Sequence, residues 1–147
     1  MLRIASVFFL FFFLSQNLTA NEYFLTLRNE VVNLRQGPSF DYPVKIFYKK
    51  KFLPVLVQDN FENFRKIRDH ENNSGWIHIS QLSKKKAAIT IEENLIIFSK
   101  PSIYSKPSVI LKKGRLCKIL KCEEKWCKVK VENYKGWVEK KGLWGLL

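Results

Sequence analysis

The side chains able to do chemistry in this chain are few: two histidines, three cysteines and 13 scattered carboxylates. His70 and His78 stand at no metal-ligand spacing from each other or from a cysteine, so no metal site is expected. His70 falls in the polar run Asp69-His70-Glu71-Asn72 and reads as a solvated turn residue. His78 follows Trp76-Ile77, and strand alternation puts it on the face of Trp76, where it either packs structurally or edges a groove. A cysteine protease would need a Cys–His pair with an orienting third group, and no serine sits in a nucleophile-elbow context. Paired acids for glycoside cleavage need only closeness in space, yet 13 acids dispersed through short strands and turns do not point to such a pair. The expectation is a non-enzymatic protein with no cofactor.

Cys117, Cys122 and Cys127 are then structural candidates. Cys122-Glu123-Glu124-Lys125-Trp126-Cys127 reads as a hairpin with a cysteine on each arm of a tight polar turn. Paired residues of adjacent strands come within disulfide reach, so a Cys122–Cys127 bridge is expected, with Cys117 left as a small apolar strand residue. The remaining candidates are aromatic. Trp76, Trp126, Trp137 and Trp144 occupy strand-like positions and read as core, whereas Phe40, Tyr42, Phe47 and Tyr48 flank loops that a small barrel cannot fully bury. Arg35 has two open roles: holding turn carbonyls, or presenting its planar fork to a carboxylate.

What must position these residues is a chain of short β elements behind an N-terminal leader. Met1-Leu2-Arg3 is a short basic start, Ile4 to Leu14 is almost unbroken apolar sequence, and Ser15 to Ala20 is a polar stretch ending in a small residue. That order is a secretory signal peptide, residues 1–20, with Leu18 leaving retention as an uncleaved anchor open. The apolar run is shorter than the roughly 18–20 residues needed to span a bilayer. Export implies a periplasmic or cell-envelope location and an oxidising setting for the cysteines. The formal net charge of +13, less Arg3 once the leader is removed, draws the protein toward anionic partners. Lipid headgroups or envelope polymers fit that charge, and export argues against nucleic acid. Abundant Lys, Asn, Ile and Phe also fit a plain compositional bias.

From Asn21 onward no helix is expected. Turn residues recur about every eight to twelve positions, the rhythm of an all-β barrel or sandwich. Expected strands in the first half are Thr26–Leu34, Val44–Tyr48, Leu53–Gln58, Phe64–Ile67 and Gly75–Ile79. Gly37-Pro38 breaks the first from the second, glycine being read there as tolerant of positive φ. The order then repeats. Pro101 follows Pro38 by 63 residues, Trp126-Cys127-Lys128-Val129 answers Phe64-Arg65-Lys66-Ile67 at an offset of 62, and Gly136-Trp137-Val138 answers Gly75-Trp76-Ile77 at 61. An internal duplication is expected, with domains at 21–83 and 89–147 packed together through a basic linker at 84–88, of which Lys84-Lys85-Lys86 reads as solvated.

Asn33-Leu34-Arg35-Gln36-Gly37-Pro38, Tyr42-Pro43-Val44, Phe64 to Ile67 and Gly75-Trp76-Ile77 together resemble the bacterial SH3 domain, or SH3b. Trp126 to Val129, Gly136-Trp137-Val138 and Leu143-Trp144-Gly145 resemble a second unit of the same kind, as in exported bacterial proteins with tandem SH3-like domains. Two departures stand out: Phe64 where the family usually has tryptophan, and Phe98-Ser99-Lys100-Pro101 in place of the Gly-Pro turn. The resemblance implies two strongly bent antiparallel barrels of about five strands each. It also implies a non-catalytic module associated with cell-wall peptide. By the same token, Arg35, Phe40, Tyr42, Trp76 and His78 would border an aromatic groove between the Arg35–Val44 loop and the polar turn before Trp76. Its occupant would be peptidoglycan peptide or another anionic envelope component, or alternatively a peptide of a periplasmic partner protein.

Overall fold

The computed structural model describes residues 21–147, so the expected signal peptide at 1–20 lies outside the described residues. The first half contains β1 (Tyr23–Leu27), β2 (Val32–Arg35), β3 (Val44–Tyr48), β4 (Pro54–Phe61), β5 (Phe64–Arg68), β6 (Ser74–His78) and β7 (Leu82–Ser83). The second contains β8 (Ala87–Thr90), β9 (Leu95–Phe98), β10 (Pro107–Leu111), β11 (Leu116–Cys122), β12 (Trp126–Val131), β13 (Tyr134–Glu139) and β14 (Leu143–Leu146). Each half forms one antiparallel sheet, β3-β2-β6-β5-β4-β1-β7 and β10-β9-β13-β12-β11-β8-β14, so one order occurs twice. The all-β tandem architecture read from the sequence is the one observed. Register shifts in the long strands β4 and β11 fall between Val57 and Asp59 and between Ile119 and Lys121, the same place in each copy. Such bulges bend a strand, which lets a short sheet curl on itself.

The duplication extends to single hydrogen bonds. Leu27 N–H donates to Leu53 O and Phe52 N–H to Leu27 O in the first copy; Thr90 N–H donates to Arg115 O and Gly114 N–H to Thr90 O in the second. Gly75 and Gly136 also match. A Cβ on Gly75 would stand 2.6 Å from Arg35 O, and one on Gly136 2.5 Å from Phe98 O. The Gly-Trp pair therefore marks where β6 and β13 press against the ends of β2 and β9. Arg35 pairs with Trp76 at the first crossing and Phe98 with Trp137 at the second.

Several expectations need correction. The strand expected over Thr26–Leu34 is two strands, because polar Arg28, Asn29 and Glu30 turn outward and the Arg28 amide donates to Gln81 O. Ala87 and Ala88, read as the end of the basic linker, are buried in β8, paired to both β11 and β14. Each sheet has seven short strands rather than five. None of the four tryptophans is fully buried; both cores are aliphatic, centred on Leu27, Leu34, Val55, Ile67 and Ile77 in one and Ile97, Val129 and Val138 in the other. Tryptophan on a strand this short reaches past the small core to its rim.

The two barrels pack directly. Ile89 of β8 belongs to the first copy's apolar cluster while its neighbour Ala88 belongs to the second's. Alternation along one strand buried on both faces thus serves two cores. Trp144 meets Phe24 edge-on at 4.8 Å between ring centres and lies 6.3 Å from His70. His70 is half-buried, with a buried Nδ1 that finds no partner among the described residues, and is not the solvated turn residue expected.

Candidate functional site

The site begins with Arg35, the last residue of β2. Its Nη1 donates to Phe40 O at 3.2 Å and to Tyr42 O at 2.9 Å, so its first role is to hold the loop. Its guanidinium also lies over the Phe40 ring, 5.4 Å from the centroid. Phe40 is 64% exposed, yet its ring stands 5.2 Å from Phe64 and 5.0 Å from His78, which are themselves 5.1 Å apart. Phe64, which fills the place where the family usually has tryptophan, is buried and forms the base of this cluster. His78 Nδ1 accepts from the Ser80 amide at 3.3 Å and lies 2.8 Å from the Ser80 hydroxyl. It caps the short 3-10 turn Ile79–Gln81 and offers a ring edge to Phe40.

Tyr42 is half exposed and its ring covers Gly37: a Cβ there would meet three ring atoms at 2.6 Å. Gly37 is not in the left-handed region, so the reason for glycine is this close approach and not positive φ. Trp76 is half-buried beside Arg35 across the β2–β6 pairing. Of the five expected site residues, the hydrogen bonds and ring contacts bring Arg35, Phe40, Tyr42 and His78 together, and strand pairing sets Trp76 next to Arg35. Lys45 of β3 donates to Ser74 O at 2.7 Å and so bridges the gap between loop and polar turn where the groove was expected.

The polar turn is organised by a residue the sequence reading passed over. Asp69 is buried and accepts from the Tyr48 hydroxyl at 2.8 Å, the Glu71 and Asn73 amides at 2.9 and 2.8 Å, and Asn73 Nδ2 at 2.9 Å. Burial and this carboxylate push the Tyr48 hydroxyl well above the usual tyrosine range. An Asp leading the run Asp69-His70-Glu71-Asn72-Asn73-Ser74-Gly75 is a readable Asx-turn signal, but no local signal pairs it with Tyr48.

The second copy carries the same loop with different side chains. Gln36 N–H to Pro43 O, Ser39 N–H to Gly37 O, Tyr42 N–H to Ser39 O and Asp41 N–H to Ser39 Oγ recur 63 residues on, from Ser99, Ser102, Ser105 and Tyr104. The Gly-Pro turn is therefore retained in backbone, with Lys100 at the place of Gly37, and was not lost as the sequence implied. Lys100 fits because Ser105, not an aromatic ring, stands where Tyr42 stands. Phe98 replaces Arg35, and Ser105 Oγ takes over the loop by bonding Lys100 O at 3.0 Å and Ser102 O at 2.7 Å.

Cys122 and Cys127 are directly paired across the β11–β12 hairpin and form the expected disulfide, their Cα atoms 4.0 Å apart. Cys117 is fully buried, and burial pushes its thiol up to about 12.

Comparison with known proteins adds the family. The model of the bacterial SH3 domain matches residues 28–84 and again 92–145. No curated protein matches the chain. Among solved structures, NlpC2 from Trichomonas vaginalis aligns at 14% identity over 84% of this chain and 48% of its own, with a TM-score of 0.38. NlpC1 from the same organism aligns at 14% over 84% and 45%, also with a TM-score of 0.38. An NlpC/P60 family protein from Bacillus cereus ATCC 10987 aligns at 12% over 83% and 56%, again at 0.38. The chain spans about half the length of these structures, and overlaps this loose bear on neither activity nor ligand. The two sequence matches coincide with the two sheets of identical strand order, and the chain belongs to the bacterial SH3 domain family, with two copies in tandem.

Proposed function

We propose that this is a non-enzymatic, exported binding module of the cell envelope whose first copy grips cell-wall peptide through Arg35, Phe40, Tyr42, Trp76 and His78. One observation carries the reading: two loops with the same backbone hydrogen bonds differ in the side chains they display. The fold of the loop needs neither Gly37 nor Tyr42, since Lys100 and Ser105 serve in the other copy. The first copy nevertheless keeps a glycine that lets a tyrosine ring lie flat, beside an exposed Phe40 backed by Phe64 and His78. Half-exposed aromatics held on a rigid base suit contact with an extended peptide. Against a cysteine hydrolase stand the sulfurs: two are joined in a disulfide, and the third is enclosed and kept protonated at neutral pH.

Retention of the purified protein on peptidoglycan, at low and at high salt, tests this. Phe40→Ala and Tyr42→Ala are expected to reduce retention severalfold without unfolding the protein, since both side chains are exposed. Absence of retention at low salt, or retention indifferent to both substitutions, would overturn it. Loss of retention at high salt with no effect of the aromatic substitutions would mark the binding as charge-led and non-specific.

A further inference from the structure

We propose that the protein carries a second binding site, formed mostly by the first copy and completed by Leu146 of the second, for an acidic peptide segment with interspersed apolar side chains. It lies in an open groove of about 1330 Å³ and includes none of the five loop-site residues. The floor is apolar, from Phe24, Leu25, Phe52, Leu82 and Leu146. The rim carries Arg28, Lys51, Arg65, Lys84, Lys85 and Lys86, and no carboxylate lines it. Among the described residues, the four ion pairs of the protein use none of these six cations.

Two features separate this groove from an accident of a basic protein. The lysine run is fixed and does not behave as a loose linker. Lys85 O accepts from the Thr26 hydroxyl at 2.8 Å and Lys86 O from the Ile119 amide at 3.2 Å, while all three lysines stay exposed. The backbone that carries Lys85 and Lys86 is thus anchored on one rim before any ligand arrives, so the segment itself needs no ordering on binding.

The second feature is Phe52. Its backbone is left-handed, at φ 64°, in the place where the second copy has Gly114 at φ 82° with open space around it. The matching hydrogen bonds, Phe52 N–H to Leu27 O and Gly114 N–H to Thr90 O, fix the correspondence. A glycine satisfies this turn without strain, and an aromatic residue does not. The first copy keeps the strained choice, and it puts an aromatic ring into the groove between Lys51 and Lys118, each with its Nζ 5.4 Å from the ring centre. The glycine of the duplicate shows that the turn itself does not require the ring.

The chemistry selects the occupant. Cations spread along an open rim match several separated negative charges better than one headgroup, and the open floor offers no enclosed slot for an acyl chain. An extended peptide alternates its side chains, so apolar residues can lie on the floor while carboxylates reach the lysines.

The probe is a fluorescent peptide of about eight residues alternating glutamate and leucine, long enough to lie along such a groove. Its anisotropy is followed with the purified protein, with a lysine–leucine peptide and anionic phospholipid vesicles as comparators. Reversing Lys84, Lys85 and Lys86 to Glu is expected to weaken binding about tenfold or more. Reversing the exposed Lys112, Lys113 and Lys130 instead should change it far less. Phe52→Gly should weaken binding while leaving thermal stability equal or higher, an outcome that a merely structural Phe52 would not give. Tyr42→Ala should have no effect, so failure here is distinguishable from failure of the loop site. No binding of the glutamate peptide, equal losses from the two triple reversals, or vesicle binding that exceeds peptide binding would each overturn the proposal.

Discussion

Tyr42 and Gly37 form a pair that can be measured. Adding a methyl group at Gly37 drives it into the Tyr42 ring, and because that ring is half exposed it can swing aside at moderate cost. Gly37→Ala is expected to cost about 1 kcal/mol, and almost nothing in a Tyr42→Ser background, by a double-mutant cycle on urea unfolding. Cys117 gives a pH prediction. An unfolded thiol ionises near 9.0, whereas the buried native one stays protonated to about 12. Above pH 9 the unfolded chain therefore sheds a proton that the native protein keeps. Stability, fully present below that pH, falls by up to about 1.4 kcal/mol per pH unit as pH rises toward 12. Tyr48, also shifted upward, adds to the fall only above its ordinary value of 10.0. Urea midpoints between pH 8 and 10 should show a shallower slope for Cys117→Ala than for the parent.

Among the elements, the β11–β12 hairpin is the one closed by a covalent bond. The Cys122–Cys127 loop is short, so reduction is expected to lower stability by about 2 kcal/mol, read as a shift in urea midpoint with and without reductant. This hairpin, the glycine-tryptophan strands and the repeat were legible in the sequence, because turn residues, cysteine spacing and period-two alternation are local signals. Strand β8 was not. Ala87 and Ala88 follow three lysines and look like the end of a linker, and only their pairing with β11 and β14 reveals a strand buried on both faces. The loop site was partly legible. Arg35, Phe40 and Tyr42 lie close in sequence and strand alternation puts His78 on the face of Trp76, while the contact of Phe64 with Phe40 comes from strand pairing that no local pattern encodes. The retained loop in the second copy was hidden because its backbone persists while its glycine does not.

On the scale of the whole protein, the two copies share packing. Gly145 of β14 has φ 151°, and a Cβ there would meet Ala87 O at 2.5 Å, Ala88 Cα at 2.7 Å and Pro54 Cβ at 3.0 Å, the last from the other copy. Gly145→Val is expected to destabilise the protein by about 3 kcal/mol or more, since backbone on one side leaves it nowhere to move. Hydrogen exchange should rise in both sheets together; a change confined to the second would show that the halves unfold independently.

The sharing of Ile89 has a consequence for a chain that is made from one end. A nascent polypeptide that has emerged as far as Ser83 already holds all seven strands of the first sheet. It lacks the isoleucine that completes that sheet's apolar cluster. Ile89 arrives on β8, which is itself held by β11 and by β14 near the opposite terminus. The first barrel is thus sealed by residues translated after it, and its final closure waits for its duplicate.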